Sequence, residues 1–256
     1  MRSISPNYDL IAADYNRRYQ QNRRQGTLNA LRRILSEESP EKVLEVGCGT
    51  CHWLALLSNA AQYQVVGVDK SFKMLRQADP TCLLQLCQGT AENIPLINEA
   101  FDFIFCVNAI HHFSEPEWFI SQAFRLLKSE GTLAVIGMNP RDPRNKWYIY
   151  GFFDGTLTTD LNRFPDWPQV RRWMKNTGFV DIHQEDVDFI HDPKTRETVL
   201  RDPFLEKTAC SQLALLSQRQ YQKGLEKLKE HVRTNPDPFY HYENTIVLTM
   251  IQTHKP

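Results

Sequence analysis

The chain has 256 residues, in which 30 lysines and arginines balance 30 aspartates and glutamates, and its pI is near 7.1. This balance gives no sign of the basic surface that binds nucleic acid, and no run of about 18 apolar residues predicts a membrane span. Six cysteines in a chain of this length favour a reducing cytoplasm over a disulfide scaffold.

The first predicted elements are two helices that precede residue 40. In the segment 7–19, aromatic and aliphatic side chains recur near one helical face, namely at Tyr8, Ile11, Tyr15 and Tyr19. The segment 27–35 is predicted to be an amphipathic helix. Two interpretations of the first segment stay open, a structural helix beside the sheet and a flap that closes over a ligand. No apolar signal-peptide core is visible in the first six residues, which again favours the cytoplasm.

A short buried strand followed by two glycines organises the rest of the chain. Val43, Leu44 and Val46 surround Glu45, the glycines stand at 47 and 49, and a helix-like run begins at residue 51. Glycine permits positive φ and close approach of a ligand, and the N–H groups at a helix start favour negatively charged groups. We therefore expect a nucleotide-like cofactor at this turn.

Three further predicted strands each end in residues that suit such a ligand. The strand 64–69 ends at Asp69, about 20 residues beyond the glycines, which is the spacing that places a carboxylate beside a ribose diol. The strand 83–87 is followed by a loop, and the strand 101–108 is followed by His111 and His112. Ligands of an open α/β sheet sit at these carboxyl ends.

After a fifth strand within residues 128–136 the regular alternation of strands and helices is interrupted twice. That alternation predicts a parallel sheet with helices on both faces. Residues 139–166 are expected to form a long loop rich in aromatic side chains, and loops of that length are usually functional. Strands six and seven, 179–187 and 243–252, are separated by a largely helical insert.

Four ordered stretches resemble motifs of the class I S-adenosylmethionine (SAM) methyltransferases of the broad "type 11" group. Glu45 to Cys51 resembles Glu-x-Gly-x-Gly-x-Gly, with Cys51 in place of the third glycine. Residues 69–75 resemble Asp-x-Ser-x-x-Met-Leu, and residues 89–95 resemble Gly-x-Ala-Glu-x-Leu-Pro. Residues 101–112 resemble a hydrophobic-Asp-hydrophobic strand ending in His-His.

The resemblance implies an α/β fold built on a seven-stranded, mostly parallel Rossmann-like sheet whose last strand is antiparallel, with a helical cap inserted between strands six and seven. A single SAM-methyltransferase domain, 1–256, is expected. Within it, residues 1–38 form the N-terminal helices or flap, residues 40–190 and 242–254 form the core, and residues 191–241 form the insert.

The resemblance also implies SAM as cofactor, S-adenosylhomocysteine (SAH) as product and no metal. The residues expected to bind the cofactor are Tyr15, Glu45, Gly47, Cys48, Gly49, Asp69, Lys70, Met74, Thr90, Ala91, Glu92, Asn108 and Ala109. His111 and His112 are candidate catalytic bases, although both can instead support their loop by hydrogen bonds.

The expected acceptor is a small organic molecule, methylated on O, N or C. Its binding site is predicted at Trp147, Tyr148, Tyr150, Phe152 and Phe153, where aromatic side chains can exclude water. Arg141, Arg144 or Lys146 are candidates to hold an anionic end. No nucleic-acid partner and no membrane span are expected, and the oligomeric state is not predicted.

Two other functions stay open. An NAD-type oxidoreductase would also use Asp69, but the dinucleotide fingerprint fails because His52 stands at its third small position. A non-catalytic SAM-fold protein that binds a partner is compatible with the same motifs. Cys48 and Cys51 form a Cys-x-x-Cys, which suggests redox chemistry or half a zinc site; coincidence within the glycine turn is the favoured interpretation.

Overall fold

The computed structural model describes residues 5–12, 15–16, 24–58, 63–82 and 84–256, and the following description concerns these residues. They form a mixed sheet of eight strands. The strands are β1 (Lys42–Val46), β2 (Gln64–Asp69), β3 (Leu84–Gln88), β4 (Phe101–Val107), β5 (Leu127–Gly137), β6 (Lys146–Trp147), β7 (Val180–His191) and β8 (Asn244–His254). The third strand was predicted to begin at Leu83, which lies outside the described residues.

Strand order explains where a ligand can bind. The first five strands are parallel in the order β3-β2-β1-β4-β5, and β8 is antiparallel to β5. Strands β6 and β7 also pair with β8 in antiparallel sense. Because β1 is flanked by β2 and β4, the winding of the sheet reverses there, and the crevice outside the carboxyl end of β1 is open to a ligand.

The predicted Rossmann-like fold, with its mostly parallel sheet and antiparallel last strand, is confirmed. Three details differ from the sequence prediction. The sheet has eight strands instead of seven, because the short strand β6 pairs with β8. Residues 139–166 are not one long loop, because they contain β6 and two helices. Strand β7 continues to His191 instead of ending at Val187, because it stays paired with β8 as far as Thr245.

The helices flank the sheet and build the cap. They are α1 (Gln25–Glu38), α2 (His52–Ser58), α3 (Phe72–Leu75), α4 (Pro116–Leu126), α5 (Tyr148–Phe152), α6 (Thr156–Arg163), α7 (Trp167–Thr177), α8 (Arg196–Val199), α9 (Ser211–Ala214) and α10 (Gln218–Thr234). Short 3₁₀ turns lie at Tyr8–Leu10, Ile110–His112 and Pro203–Leu205. Within the described ranges, no helix is both long and apolar enough to cross a membrane.

The sheet has an apolar core on each face, and the cap has a third. The central strands β1, β4 and β5 are almost fully buried, as expected for strands covered on both faces. We use "cap" for α5, α6 and residues 192–242. Its own buried cluster is formed by Tyr148, Ile149, Phe153, Val199, Leu205, Cys210, Leu213, Leu216, Leu228 and Tyr242.

The contact between α10 and α5 depends on a glycine. A Cβ atom added at Gly224 would lie 2.3 Å from Cδ1 of Phe153, and Phe153 is fully buried. We expect Gly224→Ala to lower the free energy of unfolding by about 1–3 kcal/mol, the usual cost of overpacking a core. Urea unfolding measures the change.

Gly151, in the neighbouring helix α5, provides the matched control. A Cβ at Gly151 would meet nothing within 4 Å, so Gly151→Ala should keep or raise stability, by about 0.5–1 kcal/mol at most. Equal destabilisation by the two substitutions would contradict the close contact between Gly224 and Phe153.

Candidate active site

A cleft with about 820 Å³ of empty space lies at the carboxyl ends of β1, β2 and β4. Every residue that the sequence analysis assigned to the cofactor lines this cleft: Tyr15, Glu45, Gly47, Cys48, Gly49, Asp69, Lys70, Met74, Thr90, Ala91, Glu92, Asn108 and Ala109. They come from several separate segments, which the sheet order brings to one edge. Their roles toward a cofactor stay predictions.

The turn after β1 has a left-handed backbone at three positions. Gly47 has φ 73°, Gly49 has φ 55° and Cys51 has φ 62°. A Cβ at Gly47 would lie 2.6 Å from Cβ of Ala109, so a side chain there would collide with the next loop. A glycine at position 51 would adopt this conformation without strain. For Cys51 the left-handed backbone costs about 1–3 kcal/mol of conformational strain.

The cysteines of this turn are buried and unbonded. Sγ of Cys51 lies 3.6 Å from Sγ of Cys48, and both thiols are free. Burial is the main reason that the pKa of Cys48 is raised well above its usual value, which disfavours the reactive thiolate. No cluster of three metal-ligating side chains occurs in the described part of the chain. Both cysteines belong to the buried apolar cluster on one face of the sheet.

Glu45 is a buried acid with one unpartnered carboxyl oxygen. Its side chain is almost completely buried, and Oε2 has no hydrogen-bond partner among the described residues. Burial raises the pKa of Glu45 well above its ordinary value, and the nearby Cys51 and Asp69 raise it further. An ammonium group entering the cleft would satisfy this carboxyl and favour its ionised form.

Asp69 is held at the end of β2 by backbone donors. Its Oδ2 accepts a hydrogen bond from the N–H of Gly49 and its Oδ1 accepts one from the N–H of Ser71, both at 2.8 Å. Burial raises the pKa of Asp69, and these two donors oppose that rise. Each carboxylate oxygen keeps a further lone pair, so the oriented group retains the capacity to accept hydrogen bonds from a pair of hydroxyls.

Glu92 mainly fixes a neighbouring loop. Its Oε1 accepts hydrogen bonds from the N–H of Ser114 at 2.6 Å and of Glu115 at 3.2 Å. Ala91 and Met74, both buried, also line the cleft. The Glu92 contacts hold the loop after β4 against the loop after β3.

The described part of the N-terminal segment lies over the cleft. Tyr8 Oη lies 2.5 Å from Nε2 of His112, and Ser71 Oγ donates to Asp9 at 2.5 Å. Ile11 and Ala12 pack with Met74, and Tyr8 and Tyr15 border this contact. Tyr19, the remaining residue of the predicted aromatic face, lies outside the described residues. This placement agrees with a cover over the cofactor cleft.

A second cavity adjoins the first, and its empty space, which includes open solvent, is about 1130 Å³. The two share part of their lining, namely Tyr8, Tyr15, Trp53, Val107, Asn108 and His112. His111 also lines the second cavity, where its ring stacks on Phe164 with centroids 3.8 Å apart. A ligand in the first cavity would therefore face one in the second across His112 and Asn108.

Most of the residues predicted to bind the acceptor lie elsewhere. In the described part of the chain, Trp147 lines the second cavity, whereas Tyr148, Phe152 and Phe153 belong to the cap core. Tyr150 donates to Asp160 at 2.6 Å. Tyr148 and Phe152 lie four residues apart, on one face of α5. Phe152 packs on His231 of α10, and Phe153, just after α5, packs on Tyr221 of α10.

The three cationic residues that were predicted to hold an anionic end of the acceptor do not line the second cavity either. Arg141 donates to the carbonyls of Phe164 and Leu161. Arg144 pairs with Asp142 and Asp186, and Lys146 is exposed in β6. The two arginines therefore bind neighbouring protein groups, and the lysine is exposed to solvent.

A buried polar network that sequence reasoning missed connects the cap to His112. Arg163 and Asp160 of α6 form an ion pair at 2.8 Å, with exposed side-chain fractions of 4% and 0%. Asp160 also accepts from Gln212 at 2.7 Å, and Arg163 donates to Ser211 at 2.6 Å and lies 3.4 Å from Nδ1 of His112. The spacing of three residues between Asp160 and Arg163 was a usable signal, whereas Ser211 and Gln212 carried none.

Known proteins resemble both the sequence and the fold. Residues 44–135 match the model of the methyltransferase domain family. Over 109 residues the chain is 31% identical to YcgJ, an uncharacterised methyltransferase of Bacillus subtilis, and the match covers 40% of this chain and 43% of YcgJ. The chain thus spans less than half the length of this curated relative.

Two solved structures share the fold at identities below 25%. A protein described as a candidate methyltransferase from an antibiotic biosynthesis pathway of Anabaena variabilis has 23% identity and a TM-score of 0.68, covering 89% of this chain and 96% of its own. Phosphoethanolamine N-methyltransferase 2 of Haemonchus contortus, in complex with SAM, has 20% identity and a TM-score of 0.56, covering 89% and 52%. Residues 44–135 thus match the methyltransferase domain family, and the two structures show that the chain shares the fold of known methyltransferases.

Proposed function

We propose that this protein transfers the methyl group of SAM to a small organic acceptor. The observation that carries the proposal is the pair of adjoining cavities, which share Asn108 and His112 at their junction. The first has the features of a nucleotide site and the second is larger and mostly apolar. A methyl group presented at the junction would point from one into the other.

The residues of the first cavity fit SAM. The unpartnered Oε2 of Glu45 suits the α-amino group, and the ribose hydroxyls suit the carboxylate of Asp69. Gly47 lets the turn approach Ala109 at a distance that a side chain would prevent. Met74 and Ala91 would border the adenine. SAM supplies a methyl group that its sulfonium charge already activates.

The chain's own contribution is to align the acceptor and exclude water. Alignment of the reacting atoms accounts for much of the rate in such reactions. Arg163 can only donate hydrogen bonds, so its contact implies that Nδ1 of His112 accepts and that Nε2 carries the proton toward Tyr8. This arrangement favours a positioning role for His112, while proton transfer by His111 or His112 remains a hypothesis.

The proposal is tested by incubating the protein with SAM labelled on its methyl group and an extract of the producing cells. We expect label in the small-molecule fraction and, at micromolar SAM, much less label there with the Asp69→Ala variant. SAM binding without transfer to any fraction would favour a non-catalytic protein. Label confined to the RNA or protein fraction would contradict a small-molecule acceptor.

A linked proton supplies an independent prediction. Because burial raises the pKa of Glu45, this group keeps its proton above its ordinary titration range, and the free protein loses stability as pH rises toward the raised pKa. The ammonium group of SAM would lower that pKa, so binding should release up to about one proton per site. Calorimetry at neutral pH in buffers of different ionisation enthalpy measures the release. Glu45→Gln is the control: an unchanged proton count in this variant would refute the pairing.

A further inference from the structure

The second cavity contains a buried amide that nothing in the described part of the chain uses. Asn244 is 5% exposed and lines this cavity but not the first. Its backbone is fixed by pairing with Trp147 of β6, and its carbonyl accepts from the N–H of Asp192 at 2.9 Å. Its side chain has no hydrogen-bond partner among the described residues. The amide atoms are not sealed from solvent, so they can exchange hydrogen bonds with a ligand that enters the cavity.

The cavity that Asn244 lines also has large apolar side chains in its wall. They include Trp147, Ile190, Phe204 and Ile246. Trp147 and Phe204 lie edge to face, with ring centroids 6.4 Å apart. Aromatic and aliphatic walls with one oriented polar group are typical of sites that bind a mostly apolar small molecule.

The acids near this cavity are paired with cations. Asp192 pairs with Lys194 at 2.5 Å, and Asp160 behind Gln212 pairs with Arg163. Arg24 also lines the cavity, and its charge acts on His52 at the start of α2. A cationic acceptor would therefore meet only acids that already have a cation, and an anionic acceptor would have to leave water for a lining that holds one arginine, which is costly.

We propose that the second cavity takes an uncharged acceptor with an apolar ring body, and that Asn244 hydrogen-bonds a hydroxyl or carbonyl group at the end remote from SAM. An amide offers both a donor and an acceptor, so it can hold either group in one orientation. Asn244 is then a specificity-determining residue. This inference rests on the proposed function, because it identifies the class of acceptor for that same site.

The test uses three naphthalene probes that differ in one substituent, added to the SAH-saturated protein. They are 2,6-dihydroxynaphthalene, which is neutral, 6-hydroxy-2-naphthoate, which is anionic, and 6-(aminomethyl)-2-naphthol, which is cationic. Calorimetry should show the neutral probe binding at least about tenfold more tightly than either charged probe. The anionic probe is the critical comparison, since Arg24 would favour it if charge governed binding.

Two variants assign the preference to Asn244. Asn244→Leu should weaken binding of the neutral probe by about 2- to 12-fold, the range of one hydrogen bond. Asn244→Asp should move the preference toward the cationic probe, a change that simple loss of structure would not produce. SAH affinity, measured first, should stay unchanged in both variants.

The outcomes separate this inference from the proposed function. Failure of the wild-type protein to bind SAH would refute the proposed function itself. With SAH bound, a charged probe that binds as tightly as the neutral one would overturn the inference. So would unaltered probe binding in Asn244→Leu, or no binding of any probe at about 1 mM, a concentration that detects even weak complexes.

Discussion

Replacing Arg163 by alanine is expected to destabilise the protein by about 3–5 kcal/mol. The substitution would leave the fully buried Asp160 facing Tyr150 and Gln212 without its cation, and breaking one side of a buried ion pair has a cost of this size. The same change removes the donor that lies 3.4 Å from His112. Urea unfolding of the variant measures the stability, and SAM titration reports whether the cofactor cleft survives.

Arg233→Ala is the matched control for Arg163→Ala. Arg233 also pairs with an acid three residues earlier, Glu230, at 2.7 Å, but the two side chains are 73% and 58% exposed. Exposed pairs of this kind contribute little because solvent screens them. We expect nearly unchanged unfolding for this control. Comparable losses in the two variants would show that the burial of the Asp160–Arg163 pair does not matter to stability.

Asp69→Ala is expected to weaken SAM binding by roughly 1.5–3 kcal/mol, or about 10- to 150-fold. The reason is the loss of hydrogen bonds from the ribose hydroxyls to a charged acceptor. Because Asp69 also orients the N–H groups of Gly49 and Ser71, the variant should lose further order in the turn. Calorimetric titration with SAM measures the affinity, and circular dichroism checks the fold.

Asp79→Ala is the matched control for Asp69→Ala, because both aspartates accept a hydrogen bond from a nearby backbone N–H. Asp79 likewise accepts from the backbone N–H two residues later, at 2.9 Å from Thr81, but it does not line the cofactor cleft. SAM affinity should be unchanged in this variant. Unchanged affinity in a folded Asp69→Ala protein as well would remove Asp69 from the cofactor site.

The cleft was predictable because its residues follow local rules. The glycine turn after β1 and the acid at the end of β2 are separated by a fixed spacing, and parallel strands bring their carboxyl ends to one edge. Residues from separate loops, such as Ala91 and Asn108, therefore lie together in the structure. Even Cys51, which departs from the family pattern, keeps the left-handed backbone of the turn.

The second cavity was not predictable in this way. It is walled by residues far apart in the chain, such as Trp53, Phe204 and Asn244, and no local spacing relates them. The aromatic residues of α5 were expected at the cavity because their segment was interpreted as a loop. Their helical periodicity, which places Tyr148 and Phe152 four residues apart, was the overlooked sign of a buried helix face.

The central claim is that the cleft at β1 is a SAM site, and the most direct test is calorimetric titration of the wild-type protein with SAM and, separately, with NAD. The account predicts a single SAM site with a dissociation constant in the micromolar range, near −8 kcal/mol, and no heat of binding with NAD. Binding of NAD with no binding of SAM would contradict it and would support a dehydrogenase.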